Sequence, residues 1–129
     1  MIVDDDETYV FIVKKTFELG GVKSKLIHKN RAKDALEYLS TLNDQEFPDL
    51  ILLDINMPVM NGFQFLEQYN KVGLNQEHGD TIIAMVSSSV YEKDAGLAKK
   101  YREIKDFVIK PLDLGILNNF CKKHQLELA

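Results

Sequence analysis

The chain has 129 residues and a formal net charge of −4, which suits one domain of common size and leaves no room for two. No basic run exceeds a Lys-Lys pair, which argues against a nucleic-acid or anionic-membrane surface. The single cysteine, Cys121, rules out an internal disulfide framework, and the scattered histidines His28, His78 and His124 do not suggest a metal pair.

The opening MIVDDDETYV lacks the basic and apolar regions of an export signal. No apolar run approaches the ~18 residues of a membrane span. A soluble cytoplasmic protein, with no membrane contact, is the expectation.

In chain order, MIV (1–3) is a brief apolar run closed by Asp4-Asp5-Asp6. From Thr8 to Leu19, Val10, Phe11, Val13, Phe17 and Leu19 fall near helical spacing, and Gly20-Gly21 ends that helix. KLIH (25–28) predicts a second strand, and Ala32, Ala35, Leu36 and Leu39 mark a second helix reaching about Leu42. DLILLD (49–54) shows no polar alternation, as expected of a strand covered on both faces.

Asn61-Gly62 leads into FQFLEQY, a third helix, and the polar KVGLNQEHGD (71–80) reads as a surface loop. TIIAMV (81–86) is the fourth strand and YEKDAGLAKKY (91–101) the fourth helix, which Gly96 weakens by roughly 1 kcal/mol relative to alanine. DFVI (106–109) is the fifth strand, broken by Lys110-Pro111, and LGILNNFCKKHQL (114–126) closes the chain as a fifth helix.

Strands alternating with helices require a parallel sheet, because parallel neighbours need crossover connections. With right-handed crossovers the expected fold is α/β and doubly wound, a flavodoxin-like five-stranded parallel sheet in the order 2-1-3-4-5 with five helices. One domain over 1–129 is expected.

Ligands bind such sheets at the carboxyl ends of the strands. That edge receives Asp4, Asp5 and Asp6 from the first strand, Asp54 from the third, Ser87, Ser88 and Ser89 from the fourth, and Lys110 from the fifth. Each feature has a plain reading of its own. Asp5 or Asp6 followed by Glu7 suits an N-cap and acidic first turn as well as a ligand set. Asp54 suits a loop cap, the serines suit a turn, and Lys110 suits a solvated position. Their convergence on one edge is what favours chemistry. Neighbouring carboxylates repel unless compensated, and the usual remedy is a hard divalent cation such as magnesium.

The motifs VDDD, LLDINMPVMNG, AMVSSS and FVIKP resemble those of the receiver domain of two-component response regulators. The resemblance covers essentially the whole chain, and its layout is similar to chemotaxis-type single-domain regulators. It implies that Asp54 accepts a phosphoryl group from a sensor histidine kinase or a histidine phosphotransfer protein. It implies Mg2+ as cofactor, held by Asp5 directly, by Asp4 through water, by Asp54 and by the backbone carbonyl of Asn56. Lys110 then matches the lysine that contacts phosphoryl oxygens, Ser87 the switch hydroxyl, and Phe107 the switch aromatic.

A downstream protein target would meet the surface of the fourth helix, fifth strand and fifth helix, with Tyr91, Lys99, Lys100 and Tyr101 as contributors. Serine at 87 and phenylalanine at 107 depart from the threonine and tyrosine common in that family. The first strand, starting three residues before the acidic pair, is shorter than usual and suits a trimmed chain or an absent adjoining segment.

A phosphorylation switch, and not an enzyme acting on other molecules, is therefore the expectation. The alternative is a pseudo-receiver, a protein-binding module of this fold that is not phosphorylated. A magnesium-dependent hydrolase is disfavoured, because residue 56 is asparagine where a second acid is wanted and no inserted cap encloses a substrate.

Overall fold

Aliphatic runs without polar alternation can be buried on both faces only as central strands, and the computed structural model, which describes residues 1–21, 25–88, 100–101 and 103–124, places them so. The strands are β1 (Ile2–Val3), β2 (His28–Lys29), β3 (Leu50–Asp54), β4 (Ile82–Ser87) and β5 (Ile104–Ile109). They form one parallel sheet in the order β2-β1-β3-β4-β5, as the sequence predicts. The helices among the described residues are α1 (Glu7–Leu19), α2 (Ala32–Ser40), α3 (Gly62–Lys71), α4 (Leu74–Glu77) and α5 (Leu114–Lys123).

Alternate residues of β1, β3 and β4, with Val108 of β5, feed two cores. Val3, Ile51, Leu53, Ile83 and Met85 pack against Ala35 and Leu39 of α2 and Phe65 and Leu66 of α3. Ile2, Leu52, Ala84, Val86 and Val108 pack against Val10, Val13 and Phe17 of α1 and Leu117 and Phe120 of α5. Each fully enclosed side chain such as Leu53 contributes ~1.5–3 kcal/mol relative to exposure.

Several expectations need correction. Phe11 and Leu19 are 60% and 78% exposed, whereas Tyr9 and Thr16 are buried. At 3.6 residues per turn the inward stripe of α1 runs through 9/10, 13 and 16/17, and positions 11 and 19 fall off it. The loop expected over 71–80 contains α4, because Leu74 is an apolar anchor buried in the core and Gly73, at φ +85°, turns the chain onto it. The second strand pairs at His28–Lys29 rather than over 25–28, since β1 offers partners only to those residues. The helix expected at 91–101 falls, but for Lys100 and Tyr101, outside the described residues, as do Ser89, Tyr91 and Lys99. No helix among the described residues is long and apolar enough to cross a membrane.

Candidate functional site

Register assembles the site. Ile2 pairs with Leu52 and Val3 with Leu53, so the next step along each strand brings Asp4 level with Asp54. On the other side of β3, Asp54 pairs with Val86, one residue before Ser87. Ser87 pairs with Ile109, and its carbonyl accepts the Lys110 N–H at 2.8 Å, which fixes where the lysine leaves β5.

The acidic run divides its work. Asp6 is the N-cap of α1, and its side chain accepts from the Tyr9 N–H, so the plain capping reading holds for that residue. Asp4 and Asp5 meet Asp54 instead: carboxylate oxygens of the three lie within 4.8 Å of one another. Asp4 and Asp54 are buried and Asp5 is exposed.

The backbone after Asp54 folds back tightly. Ile55 N–H donates to the Val86 carbonyl at 3.0 Å and Gly62 N–H to the Ile55 carbonyl at 2.9 Å. A Cβ on Gly62 would stand 2.6 Å from the Asp54 carbonyl oxygen and 3.0 Å from the Ile55 Cα, so only glycine fits. Asn61 then starts α3 with a reciprocal capping pair to Gln64. Between these points the Met60 N–H donates to the Pro58 carbonyl at 2.8 Å around Val59, whose φ is +70°. This is a γ-turn of the rare, strained kind, built on a β-branched residue that is fully solvent-exposed.

Lys110 enters from β5 and is the cation of the cluster. Its Nζ lies 2.9 Å from Asp4 Oδ2 and 3.8 Å from Asp54 Oδ1. Its third neighbour is the ring of Tyr9, with Nζ 4.3 Å from the centroid. The Lys110-Pro111 peptide is cis.

Asp4 and Asp54 therefore share the Lys110 ammonium, the exposed Asp5 stands beside them, and the consequence is visible in Asp54. Its pKa is pushed up from 3.8 to about 7, first by burial and next by the charge of Asp4, against the opposing pull of Lys110 and the Asn56 N–H. That N–H donates to Asp54 Oδ1 at 3.3 Å. Tyr9 is pushed up to about 12, by burial and then by Asp4.

Two residues near the site went unremarked in the sequence as functional positions. Tyr9 is not among the apolar positions by which the sequence marks the first helix, and nothing in its spacing announces the lysine. His28 reads as an ordinary residue, yet its Nε2 lies 2.8 Å from the Asp4 carbonyl oxygen, which can only accept, so this nitrogen carries the proton. The bond ties the backbone of the acidic run to β2. Beyond His28 opens a cleft of about 700 Å³ lined by Glu7, Asp34 and Tyr38 among others, and it contains none of Asp4, Asp54, Ser87 or Lys110.

Ser87 is fully buried at the end of β4. Phe107 is half-buried and packs on the α2–α3 side of the sheet. Of the residues expected on the target surface, Lys100 is exposed, whereas Tyr101 stacks on Phe63 at 6.0 Å and its hydroxyl donates to Glu67 at 3.3 Å.

The family model of the response regulator receiver domain matches residues 1–121. This chain belongs to that family. It is a receiver domain of two-component signalling, a family composed mostly of switches that interact with histidine kinases or phosphotransfer proteins and with downstream targets. The receiver is 32% identical over 116 residues to a protein-glutamate methylesterase/protein-glutamine glutaminase of Treponema pallidum, covering 86% of this chain and 26% of that protein. It is 29% identical over 113 residues to Protein PilH of Pseudomonas aeruginosa, covering 88% of this chain and 85% of that protein. The chain thus spans about a quarter of the first relative and most of the second. A solved two-component response regulator from Cytophaga hutchinsonii shares the fold, with a TM-score of 0.86 at 24% identity over 98% of this chain and 95% of that one.

Proposed function

We propose that this receiver accepts a phosphoryl group on Asp54 from a phosphohistidine donor, a sensor histidine kinase or a histidine phosphotransfer protein, with Mg2+ as cofactor. The unit doing so is taken as 1–129, working in the cytoplasm. The observation that carries the reading is the meeting of Asp4, Asp5 and Asp54, with Lys110 paired to Asp4 and Asp54.

The donor set suits a hard cation. It is all oxygen, with no thiol or imidazole, and the pKa of Asp54 is raised first by burial and next by the charge of Asp4, against the pull of Lys110. Asp5, Asp54 and the backbone carbonyl of Asn56 would hold the ion directly, and Asp4 through water. The chemistry supplied by bound Mg2+ is neutralisation of charge on the phosphoryl oxygens.

The chain's own residues do the rest. An ionised Asp54 oxygen attacks phosphorus as the P–N bond to the donor imidazole breaks, and the electron pair of that bond leaves with the imidazole. No general base is required, because a carboxylate is already nucleophilic. Lys110 transfers its contacts from Asp4 and Asp54 to the phosphoryl oxygens. The group adds a net charge of roughly −1 to the site. The Ser87 hydroxyl then donates to the new oxygens and Phe107 turns inward. The change is read by a protein target at the surface that includes β5 and α5.

Intact-mass measurement with acetyl phosphate and magnesium tests this. Wild type gains one phosphoryl group and Asp54→Asn gains none. Equal labelling of the variant overturns the choice of Asp54, and an unlabelled wild type returns the pseudo-receiver reading.

A further inference from the structure

We infer that Tyr9 is a positioning residue for Lys110, one that holds the lysine ammonium at the place where phosphoryl oxygens arrive. The inference rests on the reading of Asp54 as the phosphoacceptor and adds a residue that the receiver motifs do not contain.

A lysine head on a flexible four-carbon stem is a poor fixed charge unless walls and partners restrict it. Here the Nζ is held from three separate elements. Asp4 after β1 lies at 2.9 Å, Asp54 at the end of β3 at 3.8 Å, and the face of the Tyr9 ring, from the first turns of α1, at 4.3 Å. The two carboxylates are the groups that a cation and a phosphoryl group will engage, so neither can be relied on to keep Lys110 in place through the reaction. The ring can.

It is only 6% exposed and cannot swing away without opening the α1–α5 core, where it packs with Val13 and Leu117. The Lys110 side chain is only 15% exposed, so water reaches little of it. An aliphatic side chain at position 9 would fill the same volume but would offer no negative face to the ammonium. Tyr9 is in turn fixed at its backbone, because its N–H donates to the Asp6 cap at 3.1 Å. The side chain that caps α1 therefore also sets the height of the ring beneath the lysine.

Phenylalanine keeps the ring face and leucine does not, which separates this role from simple core filling. With acetyl phosphate and magnesium, Tyr9→Leu should label roughly threefold to tenfold more slowly than wild type, and Tyr9→Phe within about twofold of it. In a Lys110→Ala background, Tyr9→Leu should have no further effect, whereas a merely structural role would slow both backgrounds alike.

Wild-type NMR gives a readout that needs neither variant folding nor labelling. Protons on the Lys110 ε-carbon should be shifted upfield by the Tyr9 ring current. Normal lysine shifts there, an undiminished rate in Tyr9→Leu, or equal slowing in both backgrounds would overturn the proposal. A wild type that shows the ring-current shift yet takes no label would count against Asp54 as acceptor while leaving the Tyr9–Lys110 contact intact.

Discussion

If Asp54 is the strained charge of the cluster, removing its charge should stabilise the fold at neutral pH even though it destroys the proposed acceptor. A buried carboxyl whose pKa rises from 3.8 to about 7 on folding is favourable to stability as the neutral acid. That contribution is complete below the unfolded value and is lost as pH climbs through about 7. Three units of displacement at 1.36 kcal/mol each set a ceiling of about 4 kcal/mol. Water entry and the mobility of Lys110 reduce it, so about 2–3 kcal/mol is the expected gap between wild type and Asp54→Asn at about pH 8 without metal.

For a domain of this length that corresponds to roughly 6–12 °C in melting temperature. The assay is chemical or thermal denaturation of both proteins at about pH 5 and about pH 8, with chelator and with saturating magnesium. At the lower pH, already above the unfolded value of 3.8, wild type should trail the variant by roughly 1 kcal/mol, at the higher the full gap should open, and magnesium should narrow it by stabilising wild type more. Curves that stay parallel across this range would refute the idea that burial and Asp4 hold Asp54 out of its ordinary range.

Magnesium should raise the melting temperature of wild type and raise that of Asp5→Ala much less, since a ligand bound only to the folded state adds stability in proportion to its affinity; equal shifts would remove Asp5 from the ligand set. Gly62→Ala should cost about 1–3 kcal/mol in urea denaturation, because its Cβ would press on the Asp54 carbonyl oxygen from 2.6 Å. Val59→Asn should gain about 1 kcal/mol by relieving a β-branched residue at φ +70° that buries nothing in return, and a loss would mean that the turn is unstrained.

Legibility in the sequence followed the strength of the physical constraint at each place. ILLD and IIAMV could be read as central strands because runs of large aliphatic residues have few other ways to be buried, and the order of the sheet followed from the crossover rule. Asp4, Asp5, Asp54 and Lys110 could be placed together because each terminates a strand on the same edge. Tyr9 could not, because the apolar spacing that marks the first helix begins at Val10, and its relation to Lys110 exists only in three dimensions. The γ-turn at Val59 was invisible for the opposite reason: valine is among the residues least suited to positive φ, so the sequence argues against what the turn requires. Four-residue α4 is too short to show a period, and its one signal, Leu74 after Gly73, is lost among polar neighbours.

The two halves of the site's chemistry follow from one imbalance. Burial first, and the charge of Asp4 next, leave Asp54 poised near neutrality, so without metal a proton occupies part of the place where the proposed phosphoryl group would be attached. Protonation, substitution by asparagine and cation binding all relieve the same repulsion, and the fold does not distinguish among them. Reactivity does, because only a cation removes the repulsion and leaves an ionised oxygen at position 54. A site arranged for stability alone would replace Asp54 with an uncharged residue. On the proposed reading, one that retains the acid gives up stability at rest for a group whose charge, and with it the positions of Lys110 and Ser87, would change when phosphate arrives.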